Sequence, residues 1–211
     1  MKKLWFLPAF AAVAVAVPSL THAEAAPTNL ALGSVATASS SEAAQYAGSA
    51  AVDGDPTTRW SSAFSDPQTL QLDLGARSSI SEIKLTWEAS YGKAYKLEVS
   101  NDGQAWTQVA ATDSSDGGVD DYPGLTATGR YVKFTGTARA LQYGYSLYEL
   151  EVDGTPLETT VSAAASTYSM PESNGTVTVP VKLNQASATA VTVDYSTADG
   201  TATAGKDYTA A

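Results

Sequence analysis

Hydrophobic and polar residues alternate along most of the chain between residues 29 and 154. Leu70, Leu72 and Leu74 alternate in TLQLDLG, Ile83, Leu85 and Trp87 in EIKLTW, and Tyr95, Leu97 and Val99 in YKLEVS. Val132 and Phe134 do so in YVKF, and Tyr148, Leu150 and Val152 in YELEV. A period of two with one apolar face predicts strands of a half-buried antiparallel sheet. Turn signals fall between these runs: NDG at Asn101 to Gly103, DGG at Asp116 to Gly118, and PG at Pro123 and Gly124. No stretch carries a sustained helical period. The expected fold class is all-β, a sandwich or barrel.

The pattern changes at both ends. Lys2 and Lys3 precede an apolar run from Leu4 to Val17, and small residues lead to Ala23. This predicts a secretory signal peptide over 1–23, cleaved near Ala23, with the product secreted, periplasmic or at the cell surface. The alternative is an N-terminal membrane anchor; no later segment is apolar enough to span a membrane. Residues 155–160 read as a linker. Residues 161–211 turn rich in Thr, Val and Ala and hold two strand-like runs, VTVPVKL and VTVDYS, with no closing strand before Ala211. So few strands seldom bury enough surface to fold alone, so further domains are expected C-terminal to residue 211. The expected order is a signal peptide (1–23), a β-domain (24–154), a linker and an incomplete β-domain (161–211).

Composition narrows the chemistry. The chain has no cysteine, and cleavage would remove His22, its only histidine. It would also take the formal charge from −10 to −12, by removing Lys2 and Lys3. A chain without histidine or cysteine cannot build a Ser-His-Asp triad, a thiol nucleophile or a His/Cys zinc site. Without disulfides, a secreted protein must be held by core burial or bound metal. The excess of acid argues against nucleic acid and anionic membrane as partners. Oxygen-rich acidic loops suit calcium instead.

One such loop stands out. Ala51 to Ser62, AVDGDPTTRWSS, packs Asp53, Asp55, Thr57, Thr58 and Arg59 around Gly54. General acid–base chemistry on a glycosidic bond needs carboxylates about 5 to 9 Å apart on either side of it. Asp53 and Asp55 share one tight loop, which suits oxygen ligands converging on one cation better. By chemistry alone, structural calcium, an Asx-type turn and catalysis all remain open.

These residues also carry a resemblance. NLALGSVATASSS, AAVDGDPTTRWSS, LQLDLG, LEVSNDGQAWTQV, RYVKFTG and YSLYELEVDG occur in the order seen in discoidin-like domains. These are also called coagulation factor 5/8 type C domains, and they are similar to family 32 carbohydrate-binding modules. The resemblance covers Asn29 to Gly154 and implies a jelly-roll β-sandwich of the eight-stranded kind. It implies a structural calcium as cofactor, held by the Ala50 carbonyl, Asp53, Asp55, Thr58, the Tyr148 carbonyl and Glu149. One ion would then tie an early loop to the last strand.

A sandwich of this kind binds through loops at one end. Candidate sugar-contacting residues are Glu42, Arg59, Phe64, Glu88, Tyr91, Tyr143 and Tyr145. Together they offer the carboxylates, guanidinium and flat rings that sugars need. Trp60, Trp87 and Trp106 lie in or beside strand patterns and are assigned to the core. Phe64, Tyr143 and Tyr145 flank Ser, Gly, Asp and Pro and are assigned to the ligand. Within the family the chain most resembles modules attached to enzymes acting on β-glucan or chitosan. In the chitosan-binding relatives, positions matching Glu42, Arg59, Phe64, Glu88 and a late tyrosine line the sugar site. Phe64 departs from the tyrosine seen there.

The tail, with PESNGTVTVPVKL and DGTATAGKDY, resembles the first half of a Calx-beta domain. That resemblance implies Glu172 and Asp207 as calcium ligands, or a spacer without metal. Asn174-Gly175-Thr176 forms a glycosylation sequon. Two functions follow as expectations. One is non-catalytic carbohydrate binding that tethers a secreted polysaccharide-degrading enzyme to its substrate, raising local concentration. The other is an adhesin that binds host or matrix glycans or proteins.

Overall fold

The computed structural model describes residues 26–166, 168, 176–185, 187, 190–200 and 202–210. The expected signal peptide, Glu172 and most of the sequon lie outside the described residues. The chain divides into two compact units; one is Glu24–Leu157, and Glu158–Ala211 belongs to the other.

The first unit is a β-sandwich of eight strands. They are β1 (Thr28–Asn29), β2 (Val35–Ala38), β3 (Trp60–Ser61), β4 (Gln68–Trp87), β5 (Gly92–Ser100), β6 (Thr107–Thr112), β7 (Val119–Arg139) and β8 (Ser146–Pro156). Every pairing between them is antiparallel. Two of the strands are unusually long, β4 with 20 residues and β7 with 21. Both serve two layers. Residues 68–73 of β4 pair with β2 and with residues 131–136 of β7, which in turn pair with β5. Residues 78–87 of β4 pair with β8 and with the first half of β7. The register between β4 and β7 breaks between Asp73 and Ser78, where the strands turn the corner from one layer to the other.

The alternating residues meet between the layers. Leu70, Leu72, Ile83, Leu85, Leu97, Val132, Phe134, Leu150 and Val152 are all fully buried. A cluster of Trp60, Trp87, Tyr95, Phe134 and Tyr145 fills the middle, with ring centroids 5.4 to 6.0 Å apart. Each such ring withdraws enough apolar surface to contribute on the order of 1.5–3 kcal/mol. Asp120 satisfies the polar edge of this cluster. Its Oδ2 accepts hydrogen bonds from Trp87 Nε1, Tyr95 Oη and Ser115 Oγ, each at 2.7 Å.

The structure departs from the sequence expectations in three places. Trp106 is not core: it is half-buried, with Lys133 Nζ 3.8 Å from its ring centroid. It lies just before the edge strand β6, where only one side is covered. Pro123 and Gly124 do not separate strands but sit inside β7, beside a register shift opposite Ile80 and Glu82. In the second unit, β9 (Val161–Ala163) pairs with β10 (Val181–Leu183), but VTVDYS forms no strand. Val191, Val193 and Tyr195 in that run stay exposed. An alternating run becomes a strand only when another strand completes its backbone hydrogen bonds. Among the described residues, no helix is long and apolar enough to cross a membrane.

Candidate functional site

Two places in the first unit gather polar side chains. The first is the loop Ala50–Arg59. Gly54 takes a left-handed conformation, φ 77°, which other residues rarely adopt. The turn brings the Gly54 N–H to the Glu149 carboxylate, from the last strand. Around the Thr58 hydroxyl four oxygens converge: the two Asp53 carboxylate oxygens at 2.9 and 2.8 Å, the Asp55 carbonyl at 3.0 Å and the Ala50 carbonyl at 3.4 Å. A hydroxyl has one proton to give, so this many acceptors exceed what Thr58 can satisfy. Glu149 Oε1 is buried and has no hydrogen-bond partner among the described residues. Burial, then the Asp53 charge beside it, push the Glu149 carboxyl up to about 7.

Not every expected ligand points inward. The Asp55 carboxylate is exposed and accepts hydrogen bonds from the Thr57 N–H at 2.9 Å and the Thr57 hydroxyl at 2.6 Å. Those bonds hold it below the usual carboxylate range. It is the Asp55 carbonyl that meets the Thr58 hydroxyl. Tyr148 falls at a register shift: Thr86 pairs with Glu149 and Trp87 with Leu147, leaving Tyr148 as an extra residue in β8. An extra residue of this kind drops out of the ladder. Among the described residues, no three Asp, Glu, His or Cys side chains cluster as metal ligands. The donors here are mixed carboxylate, hydroxyl and carbonyl oxygens, a set that suits calcium and not zinc.

The second place is the loop end of the sandwich, built by residues 39–46, 61–67, 87–91 and 139–146. Backbone and serine bonds lace these segments together. Ser61 Oγ donates to Glu42 Oε2 at 2.8 Å, and the Ser62 N–H to the Tyr145 carbonyl at 2.9 Å. The Tyr145 N–H returns a bond to Ser62 Oγ at 2.9 Å. The Glu88 N–H donates to the Ser146 carbonyl, the Ser146 N–H to the Ser90 carbonyl, and the Ala140 N–H to the Tyr91 carbonyl. Glu42 is exposed and Glu88 half-buried, its Oε2 accepting the Ser90 N–H at 3.0 Å. Among the described residues neither is paired with a cation. Phe64 and Tyr143, each 49% exposed, meet edge to face with centroids 5.9 Å apart. They present half of each ring to solvent, as a stacking surface requires.

The other expected contact residues are placed differently. Arg59 is half-buried, its guanidinium 4.2 Å over the Tyr46 ring and its Nε buried without a hydrogen bond. Tyr91 is half-buried, with its ring against Gly117. Tyr145 is corrected outright: it is fully buried, not a ligand contact. Its ring occupies the space a side chain at Gly136 would need, and its hydroxyl bonds to Asp66 Oδ1. Burial and that bond push the hydroxyl up, so it remains a donor. Asp66 and Arg139 were missed. Arg139 Nε lies 3.3 Å from Asp66 Oδ2, and its Nη1 donates to the Gln142 and Tyr143 carbonyls, both at 3.1 Å. An acid before proline within a serine-rich loop was the available signal. In the second unit, the Asp207 carboxylate accepts the Thr203 N–H at 2.9 Å and closes its own turn.

Comparison with known proteins fits this geometry. Residues 35–150 match the F5/8 type C domain and residues 157–211 the Calx-beta domain. The first unit superposes on chitosan-binding module 1 of a chitosanase/glucanase from Paenibacillus sp. IK-5. Identity is 46%, over 59% of this chain and 98% of that one, with a TM-score of 0.58. Module 2 of the same enzyme, solved in complex with chitotriose, is 43% identical over 59% of this chain and 98% of its own, with a TM-score of 0.57. A curated relative, the polysaccharide lyase 8 family protein HylA of Enterococcus faecalis, is 39% identical over 74 residues, 35% of this chain. That match spans 5% of the length of HylA. With more than half of its residues matched, the chain belongs to the F5/8 type C domain family.

Proposed function

We propose that the first unit is a non-catalytic carbohydrate-binding module whose ligand is a glucosamine-containing polysaccharide. The module would tether a polysaccharide-degrading enzyme to that substrate. The observation that carries the reading is the loop end itself: Glu42 and Glu88, without cation partners among the described residues, and an exposed aromatic pair, Phe64 and Tyr143. Glu42 and Glu88 can pair with ammonium groups of an amino sugar, and Phe64 and Tyr143 can cover the apolar face of a ring. Similarity to the Paenibacillus chitosan-binding modules supports the same ligand class. A calcium ion held by the Ala50 carbonyl, Asp53, the Asp55 carbonyl, Thr58, the Tyr148 carbonyl and Glu149 would supply positive charge to a group of oxygens that otherwise repel one another.

The test is a binding screen of the full chain, in calcium, against glucosamine, N-acetylglucosamine and β-glucan oligomers. Glucosamine oligomers should bind, and Glu42→Gln and Glu88→Gln should each weaken that binding about tenfold while leaving the melting temperature in place. Binding to none of these oligomers, together with clear binding to animal glycans or to protein, would favour the adhesin function and overturn the proposal.

A further inference from the structure

We propose that Asp66 is a positioning residue that keeps the loop end both shaped and anionic for a cationic amino-sugar chain. The inference rests on the carbohydrate-binding reading above. Asp66 stands between the core and a loop. On one side is the Tyr145 hydroxyl, anchored by a ring that is part of the core. On the other is Arg139, whose guanidinium donates to the carbonyls of Gln142 and Tyr143. The series runs from core to carboxylate to guanidinium to the loop that carries Tyr143.

The first consequence is shape. Phe64 lies two residues before Asp66, and the Tyr143 carbonyl is held by Arg139. The contact between the two rings, tilted 86° to one another, is therefore held from both sides by one ion pair. The second consequence is charge. Arg139 is spent on Asp66, while Glu42 and Glu88 have no cation partner among the described residues. An Arg139 released from Asp66 would bring a free positive charge to the loops that must attract ammonium groups. At low salt such a charge acts over about 10 Å or more.

The experiment measures affinity of the full chain for a glucosamine oligomer and for a neutral β-glucan or N-acetylglucosamine oligomer, with and without added salt. Asp66→Asn keeps the size of the side chain and the acceptor for Tyr145 but removes the charge. It should weaken glucosamine binding about tenfold at low salt and neutral binding by less than about twofold. The gap should close at about 0.5 M salt, where screening is nearly complete. The double variant Asp66→Asn with Arg139→Gln should restore the ratio of glucosamine to neutral affinity, because both charges are gone, while both affinities stay lowered by loss of the brace on Tyr143.

An equal loss for charged and neutral oligomers overturns the proposal, since a purely structural role would produce it. So does an Asp66→Asn chain that binds like the wild type. If Asp66→Asn does not fold, Arg139→Gln carries the test. It leaves the Asp66 charge unpaired, so the ratio of glucosamine to neutral affinity should rise, and an unchanged ratio overturns the proposal. A wild-type chain that binds no glucosamine oligomer overturns this inference and the carbohydrate reading together, which the first measurement shows before any variant is made.

Discussion

The Ala50–Arg59 loop and the loop end of the sandwich both gather carboxylates, and they dispose of them in opposite ways. In the loop, Glu149 resists ionising because it is buried and, second, because the Asp53 charge lies beside it. The Asp53 oxygens and the carbonyls of Ala50 and Asp55 converge on the Thr58 hydroxyl. At the loop end the acids are spread over separate segments. Asp66 is consumed by Arg139 and Tyr145, and Glu42 and Glu88 keep an oxygen open. Convergent acids call for a cation that belongs to the protein. Dispersed acids with free oxygens can serve a ligand that comes and goes.

The largest effect expected from breaking this arrangement is at Tyr145. Its ring is packed against Phe134 and beside Gly92 and Gly136, so Tyr145→Ala leaves a cavity and removes the donor to Asp66. The loss should be about 3–5 kcal/mol, read from denaturant unfolding. Tyr145→Phe keeps the ring and should cost only about 1 kcal/mol. If Tyr145→Ala lost sugar binding with its unfolding midpoint unchanged, Tyr145 would be a contact residue after all, and the placement of the loop end would be wrong.

The next effect is calcium. A site filled at about 100 times its dissociation constant stabilises the folded state by about 2.7 kcal/mol. For a unit of this size that is a rise in melting temperature of roughly ten degrees. Glu149→Gln should remove most of the rise, because the variant offers no charge from the last strand. Asp55→Asn should cost less of the rise than Glu149→Gln, because the Asp55 carboxylate is engaged with Thr57 and its carbonyl is kept in the variant. A melting temperature indifferent to calcium and to chelator would reduce the loop to a turn.

Much of this was legible beforehand. The strands carrying Leu70–Leu74, Ile83–Trp87, Tyr95–Val99 and Leu150–Val152 follow directly from alternation, since each faces the core with every second residue. What alternation cannot show is whether a partner strand exists. VTVDYS has the same period and stays unpaired, while Val181–Leu183 finds Val161–Ala163. Tyr143 and Tyr145 show the same limit within one tripeptide. Both flank Gly144, yet one ring is exposed and the other buried, because adjacent backbone bonds to Ser62 turn Tyr145 inward. Asp66 and Arg139 lie far apart in the chain, and the antiparallel pairing of Gln68 at the start of β4 with Gly136 near the end of β7 brings them together.

The smallest effect concerns pH, where two carboxylates pull in opposite directions. Glu149 has its folded value raised to about 7 from 4.5, first by burial and then by Asp53. In the metal-free chain it therefore favours the fold while protonated. As pH rises from about 4.5 to about 7 the unfolded chain ionises first, and stability falls across that window. Asp73 behaves in the opposite sense. Arg130 donates to it from Nε at 2.7 Å and Nη2 at 2.8 Å and holds its carboxyl below 3.8. Its contribution is present above that value and is lost as pH falls below it. Both side chains of the Arg130–Asp73 pair are partly exposed, so this limb is the shallower one. The metal-free chain should thus melt highest between about pH 4 and pH 5 and lower on either side. Glu149→Gln should flatten the neutral limb, and Asp73→Asn should only reduce the acid limb, which Asp55, Glu98 and Asp102, also held low, share. Calcium should reverse the neutral limb, since it binds only ionised Glu149 and so gains affinity as pH rises. A neutral limb that persists unchanged in Glu149→Gln would mean that Glu149 is not what sets it.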